Sequence, residues 1–170
     1  MTANKSINNL IRILITSFVV GVLCGCSATS VMVPLETEKP NGSVRFYQGG
    51  KLLKIHVNLS ELTPNLKYRL HVHEVGDCRN PVDGSTGQPF DSVDPTQNND
   101  AGRPTGHLGS TQADENGVID ITFNLLEPKL FGPPNVSILG RSLVLSVLEG
   151  NEETISRPVA CGLISKNSAL

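Results

Sequence analysis

The sequence predicts an all-β domain, a β-sandwich or Greek-key barrel of about eight antiparallel strands. Apolar and polar residues alternate over short runs, and the runs are separated by turn signals. Gly (16) and Pro (11) are abundant and Trp is absent, a turn-rich composition. The chain shows no internal repeat and no amphipathic helical pattern.

The elements follow in order. Residues 27–42 have little periodicity and read as a tether, with Pro34, Pro40 and an Asn41-Gly42 turn. Ser43 to Tyr47 is a short strand, and Gly49-Gly50 a hairpin turn. Leu53, Ile55, Val57 and Leu59 then alternate with Lys54, His56 and Asn58, the pattern of a half-buried antiparallel strand. Leu66 to Glu74 is the next strand. Residues 76–111 hold six Gly, four Pro and many Asp, Asn, Ser and Thr. They read as one long loop, and loops of that length are functional or disordered. Val118 to Asn124 alternates again after Asn116-Gly117. Val136 to Leu148 reads as a strand pair bent around Gly140, and Val159 to Ile164 as the last strand. The domain thus runs over residues 43–165, with 166–170 as a tail.

The N-terminus reads as a targeting segment. Lys5 and Arg12 precede a short apolar stretch, Ile13 to Leu23, too short for a stable membrane span. It ends in Leu23-Cys24-Gly25-Cys26, which resembles a bacterial lipobox. That resemblance implies removal of residues 1–25, lipidation of Cys26 and anchoring in a lipid bilayer. Ser27, not Asp, follows the cysteine, which implies the outer membrane, facing the periplasm. An ordinary secretory signal, leaving a soluble periplasmic protein, is the competing reading. The mature chain carries 12 basic and 16 acidic residues, a net charge of −4 with no basic run. Nucleic acid is therefore not an expected partner.

Of four cysteines, Cys24 leaves with the signal and Cys26 takes the lipid. Cys78 and Cys161 remain in an oxidising compartment, where a disulfide is expected. Two separate buried thiols are the alternative.

His71-Val72-His73-Glu74 is the most informative stretch. Side chains alternate along a strand, so His71 and His73 project to one face. Two imidazoles on one face begin a metal site, and imidazole suits copper and zinc. A buried, hydrogen-bonded histidine pair without a metal is the plain structural reading.

These motifs occur in an order that resembles the copper/zinc superoxide dismutase family. They are Leu62-Thr63-Pro64, His71-Val72-His73-Glu74, Gly76-Asp77-Cys78, Leu108-Gly109, Ala113-Asp114 and Asn116-Gly117-Val118. Gly140-Arg141-Ser142-Leu143-Val144, Gly150-Asn151-Glu152-Glu153-Thr154 and Ala160-Cys161-Gly162 complete the series. The resemblance implies a dismutase-like Greek-key β-sandwich and places Cys78 and Cys161 on the family's disulfide positions. It implies that His71 and His73 are copper ligands and that superoxide is the substrate of an active member. Other ligand positions depart from the pattern. Pro89 stands where a bridging His belongs, Ala101 where a zinc His belongs, and Ser146 where the last copper His belongs. His107 falls on a zinc Asp without gaps, or on a zinc His with a short gap. Arg157 lies four residues before Cys161, whereas the family's guiding Arg lies three before, where Pro158 stands.

The family's full site needs six histidines, and the chain has four: His56, His71, His73 and His107. His56 lies on the polar face of its strand and reads as a surface residue. Asp77, Asp83, Asp91, Asp94 and Asp100 dot the long loop, and a zinc ion held by Asp91 and His107 is a weaker expectation. The expected protein is a dismutase-like lipoprotein with one copper on His71, His73 and His107, and weak or lost turnover. An active reduced-ligand dismutase, with Arg157 as its guiding residue, and a metal-free interaction module on the same fold are the alternatives.

Overall fold

The computed structural model describes residues 27–35, 39–91, 105–126, 128–149 and 155–167. The signal segment, Cys26, Asp94, Asp100, Ala101 and the 150–154 motif lie outside the described residues. No helix occurs among the described residues. The described residues form ten strands: β1 (Ser27–Val31), β2 (Val33–Pro34), β3 (Asn41–Gly49), β4 (Leu52–Ser60), β5 (Lys67–His73), β6 (His107–Gln112), β7 (Ile119–Leu125), β8 (Ser142–Glu149), β9 (Ile155–Leu163) and β10 (Ser165–Lys166).

The strands form two antiparallel sheets, in the orders β10-β1-β3-β4-β7 and β2-β9-β8-β5-β6. Their inner faces make one core. The alternating residues of β4, Leu53, Ile55, Val57 and Leu59, are all buried in it. Tyr68, Leu70 and Val72 of β5 and Leu143, Leu145 and Val147 of β8 close it from the other sheet. The period-2 pattern thus decides which residues of each strand face inward. In β5 it leaves Arg69, His71 and His73 on the outer face, half-buried.

Four expectations need correction. The tether begins with strands: Ser27–Val31 pairs with both β3 and β10, and Val33–Pro34 pairs with β9. Backbone pairing holds this segment, and its apolar residues run together, with Ala28 and Met32 buried but Val31 and Val33 exposed, so no clear period shows. Asn41-Gly42 is no turn but the start of β3, paired with Ser60 and Leu59. Val136–Leu139 is no strand. Ile138 is buried there and its N–H donates to the Lys129 carbonyl, so the apolar run anchors a loop. Finally, the long loop ends early. β6 begins at His107, and segment 86–90 lies along β5, with the Glu74 N–H donating to Gln88 and the Val75 N–H to Thr86.

Candidate metal centre

β5 occupies an interior place in its sheet, between β8 and β6. Residues directly opposite one another share a face of the sheet. His107 opposes His71, His71 opposes Val144, Val144 opposes Cys161, and Cys161 opposes Val33. One row across the outer face therefore runs from His107 to His71 and on to the cysteine. The Cys78–Cys161 bond is formed (S–S 2.03 Å, Cα–Cα 5.6 Å) and ties the segment after β5 to β9. This bears out the expected pairing.

His71 and His73 lie on one face, as the alternation predicted, with ring centroids 6.4 Å apart. His107 joins them. Its Nδ1 lies 2.7 Å from Nε2 of His71, one ring donating its N–H to the other, and the ring centroids are 4.7 Å apart. β5 and β6 shift register between Leu70 and His71, and the bulge is what sets His107 against His71. The Nδ1–H of His73 donates to the Gly87 carbonyl (2.9 Å), with the Thr86 hydroxyl 3.1 Å from the same nitrogen. With its proton on Nδ1, the neutral ring carries its lone pair on Nε2, the usual arrangement of a metal-binding histidine.

The fit to a metal is partial. Two nitrogens each about 2.0 Å from one ion at right angles lie about 2.8 Å apart, close to the His71–His107 spacing. Among the described residues, however, no three His, Cys, Asp or Glu side chains stand close enough to hold an ion as they are. As placed, His73 does not complete a set of three with His71 and His107.

The substituted positions are also placed. Pro89 bridges to His73. Ser146 is buried and opposes Arg69, one same-face pair along from His71 and Val144. An imidazole there would share the face of His71, and serine supplies no such nitrogen. Arg157 opposes Val147, a core residue, while Pro158 opposes Ser146. In this register Pro158, not Arg157, shares the outer face with Ser146. Asp91 does not turn to His107: its Oδ1 accepts from the Thr105 N–H (3.3 Å) and hydroxyl (3.1 Å), so hydrogen bonds close the base of the 92–104 segment. Asp77 is bound by Arg79, whose hydrogen bonds lower its pKa to about 2. Asn80 donates to Asp83. His56 lies on the outer face of the opposite sheet, its Nε2 2.8 Å from Asp120, with the core between it and His71.

Sequence reasoning missed Thr86 and Gly87 as partners of His73 and Gly106 beside His107. A histidine needs a partner for its second nitrogen, but no local pattern says which loop residue provides it.

Two facing antiparallel sheets, an imidazole cluster on one outer face and a disulfide in the same row define a class: antiparallel β-sandwiches built like dismutases. The family model for copper/zinc superoxide dismutase (SODC) matches residues 40–164, and the chain belongs to that family. It is similar to the superoxide dismutase [Cu-Zn] of Paramecium bursaria Chlorella virus 1, 33% identical over 139 residues, 72% of this chain and 71% of that protein. It is 36% identical over 109 residues to the extracellular superoxide dismutase [Cu-Zn] of Onchocerca volvulus, covering 62% of this chain and 52% of that protein. It is 28% identical over 89 residues to the superoxide dismutase-like protein YojM of Bacillus subtilis, covering 51% and 45%. The chain therefore spans about half the length of each of the last two.

Proposed function

We propose that the protein is an exported, lipid-anchored relative of the dismutases that holds one copper ion on His71, His73 and His107, with superoxide dismutation weak or lost. The carrying observation is the row of imidazoles. His71 faces His107 at 2.7 Å, and His73 is held by the Gly87 carbonyl with Nε2 left for a metal. Nothing in strand packing requires three imidazoles on one face. Copper, when bound, would exchange electrons by moving between two oxidation states. The chain's own residues orient and partly desolvate the ligands: Gly87 sets the His73 tautomer, and all three histidines are half-buried.

Weak turnover follows from Pro89 and Ser146. A redox site must tolerate both oxidation states of its metal, and each missing imidazole loosens it. Pro158 in place of the guiding arginine removes a positive charge that would draw in an anion. A dismutase-like relative, YojM, and an extracellular dismutase among the similar proteins support the same reading, as does the disulfide, a bond of oxidising compartments. The lipobox-like Leu23-Cys24-Gly25-Cys26 supports an anchor at Cys26 in the outer membrane. The Cys26→Ala variant should move the protein from the membrane fraction to the soluble fraction.

The deciding measurement compares copper loading of the protein with that of a His71→Ala/His73→Ala variant. Free copper at a hundredfold excess over Kd stabilises by about 2.7 kcal/mol, a Tm rise of roughly 5–10 °C. The variant should lack the rise. A metal-free module is the second reading, since the His71–His107 hydrogen bond already gives each ring a partner without a metal. Equal melting of loaded and unloaded protein would establish it. Superoxide turnover well above that of copper on the double variant would instead show an active enzyme.

A further inference from the structure

We infer that Gly106 is the positioning residue of the histidine row: it is what brings His107 onto His71. Three backbone groups form a closed ring beside the site. The Val72 N–H donates to Gly106 (2.8 Å), the Gly106 N–H to Phe90 (2.7 Å), and the Phe90 N–H to Val72 (2.9 Å). Val72 separates His71 from His73, Gly106 precedes His107, and Phe90 follows Pro89. One three-way junction therefore joins β5, the 86–90 segment and the start of β6. β5 changes partner here, from β6 to the 86–90 segment, and the junction lies at that change.

The junction admits no side chain at position 106. A Cβ there would lie 2.5 Å from the Val72 oxygen and 2.7 Å from the Phe90 oxygen. Both are backbone atoms already committed to the ring, so neither can move without opening it. Two further contacts brace it. The Arg141 guanidinium stacks 3.8 Å over the Phe90 ring and donates to the Glu74 carbonyl (2.6 Å), the residue after His73. Asp91 accepts from Thr105 on the other side. None of these groups can ligate through the atoms so used; they act through the histidines. The placement of His107 stands without a metal, whereas its consequence for copper rests on the proposed function.

The first test uses metal-free protein and reads the imidazole pair directly. Ring nitrogen-15 spectra should show an N–H shared between His71 and His107, assigned by its loss in His107→Ala. Gly106→Ala should lose that shared proton while keeping a folded strand spectrum. Gly117→Ala is the control. It lies at φ +72°, and its Cβ would meet the Leu62 oxygen, so it strains a turn far from the histidines. It should keep the shared proton. If Gly106→Ala does not fold, Asp91→Ala loosens the same junction from its edge and should broaden the shared proton. The second test is copper affinity. Gly106→Ala should weaken it about 10–100-fold, as loss of a supporting shell does, and add nothing further in a His107→Ala background. Persistence of the shared proton in Gly106→Ala, or in Asp91→Ala if that variant must stand in, overturns the inference. So does its absence from the unaltered protein, or equal loss in Gly117→Ala. Failure of copper binding alone, with the proton pattern as expected, overturns the proposed function and leaves Gly106 in its role.

Discussion

On the outer face of β4, His56 stands with 31% of its side chain exposed and its Nε2 2.8 Å from the more exposed Asp120. On the outer face of β5, His71 and His73 are held by groups from two other places in the chain: His107, and Gly87 with Thr86. Both faces use the outward positions of interior strands, and both begin from a polar residue alternating with core residues. The first face pairs its histidine across the sheet with β7, as any strand surface does. The second receives two inserted segments, one before and one after the undescribed stretch 92–104. What separates a surface histidine from a site histidine here is long-range coverage.

Removing the tie that belongs to the second face should have the largest effect. A Cys78→Ala/Cys161→Ala variant frees a loop of 83 residues. The chain-entropy model gives a loss of up to about 4–5 kcal/mol, a Tm drop on the order of 10 °C by calorimetry. Retention of the native Tm would show that the histidine face does not depend on its disulfide. Next in size is the gap at Ser146. Ser146→His adds an imidazole to the face of His71 and should raise copper affinity by about tenfold or more in a competition titration, at some loss of stability from crowding Arg69. No gain would mean that Ser146 does not open onto the metal position.

The first face should respond weakly. His56→Ala removes an exposed pair, and its Tm should change by less than about 2 °C, with copper retention unaltered. A loss of copper there would break the contrast between the faces. Smallest is the acid response of Asp77. Arg79 holds its pKa down to about 2, so its contribution is complete above the ordinary carboxylate range and fades as pH falls toward 2. Because its partner Arg79 is largely exposed, Asp77→Asn should lower Tm only slightly near pH 7, and that small difference from the unaltered protein should vanish as pH falls from about 4 to 2.

The residues that were legible in the sequence are those whose environment repeats locally. Leu53, Ile55, Val57 and Leu59 alternate for four periods, and all four are buried. β6 offers Leu108 as its lone large apolar residue, so nothing in its six residues announces a strand. β1 is similar, with Ala28 as the buried apolar residue of a segment held mainly by pairing on both edges. Val136 to Leu139 misled in the opposite direction, because a buried apolar run anchors a loop as readily as it forms a strand. His71 and His73 were readable as one face because their relation is two residues long. The partner of His71 lies 36 residues away, and no local rule selects it.

Local chemistry therefore determined the all-β class, the inward residues of the long alternating strands and the His71–His73 face, while the family's motif order placed Cys78 and Cys161 as a pair. The first three need only the turn-rich composition and period-2 geometry. Tertiary structure decided that His107 meets His71, that Ser146 and Pro158 share the outer face, and that Gly106 must carry no side chain. Each of these depends on strand register, on a bulge between Leu70 and His71 and on one between Leu145 and Ser146. Register is set by the packing of whole sheets, and a shift of one residue turns every side chain of a strand to the other face.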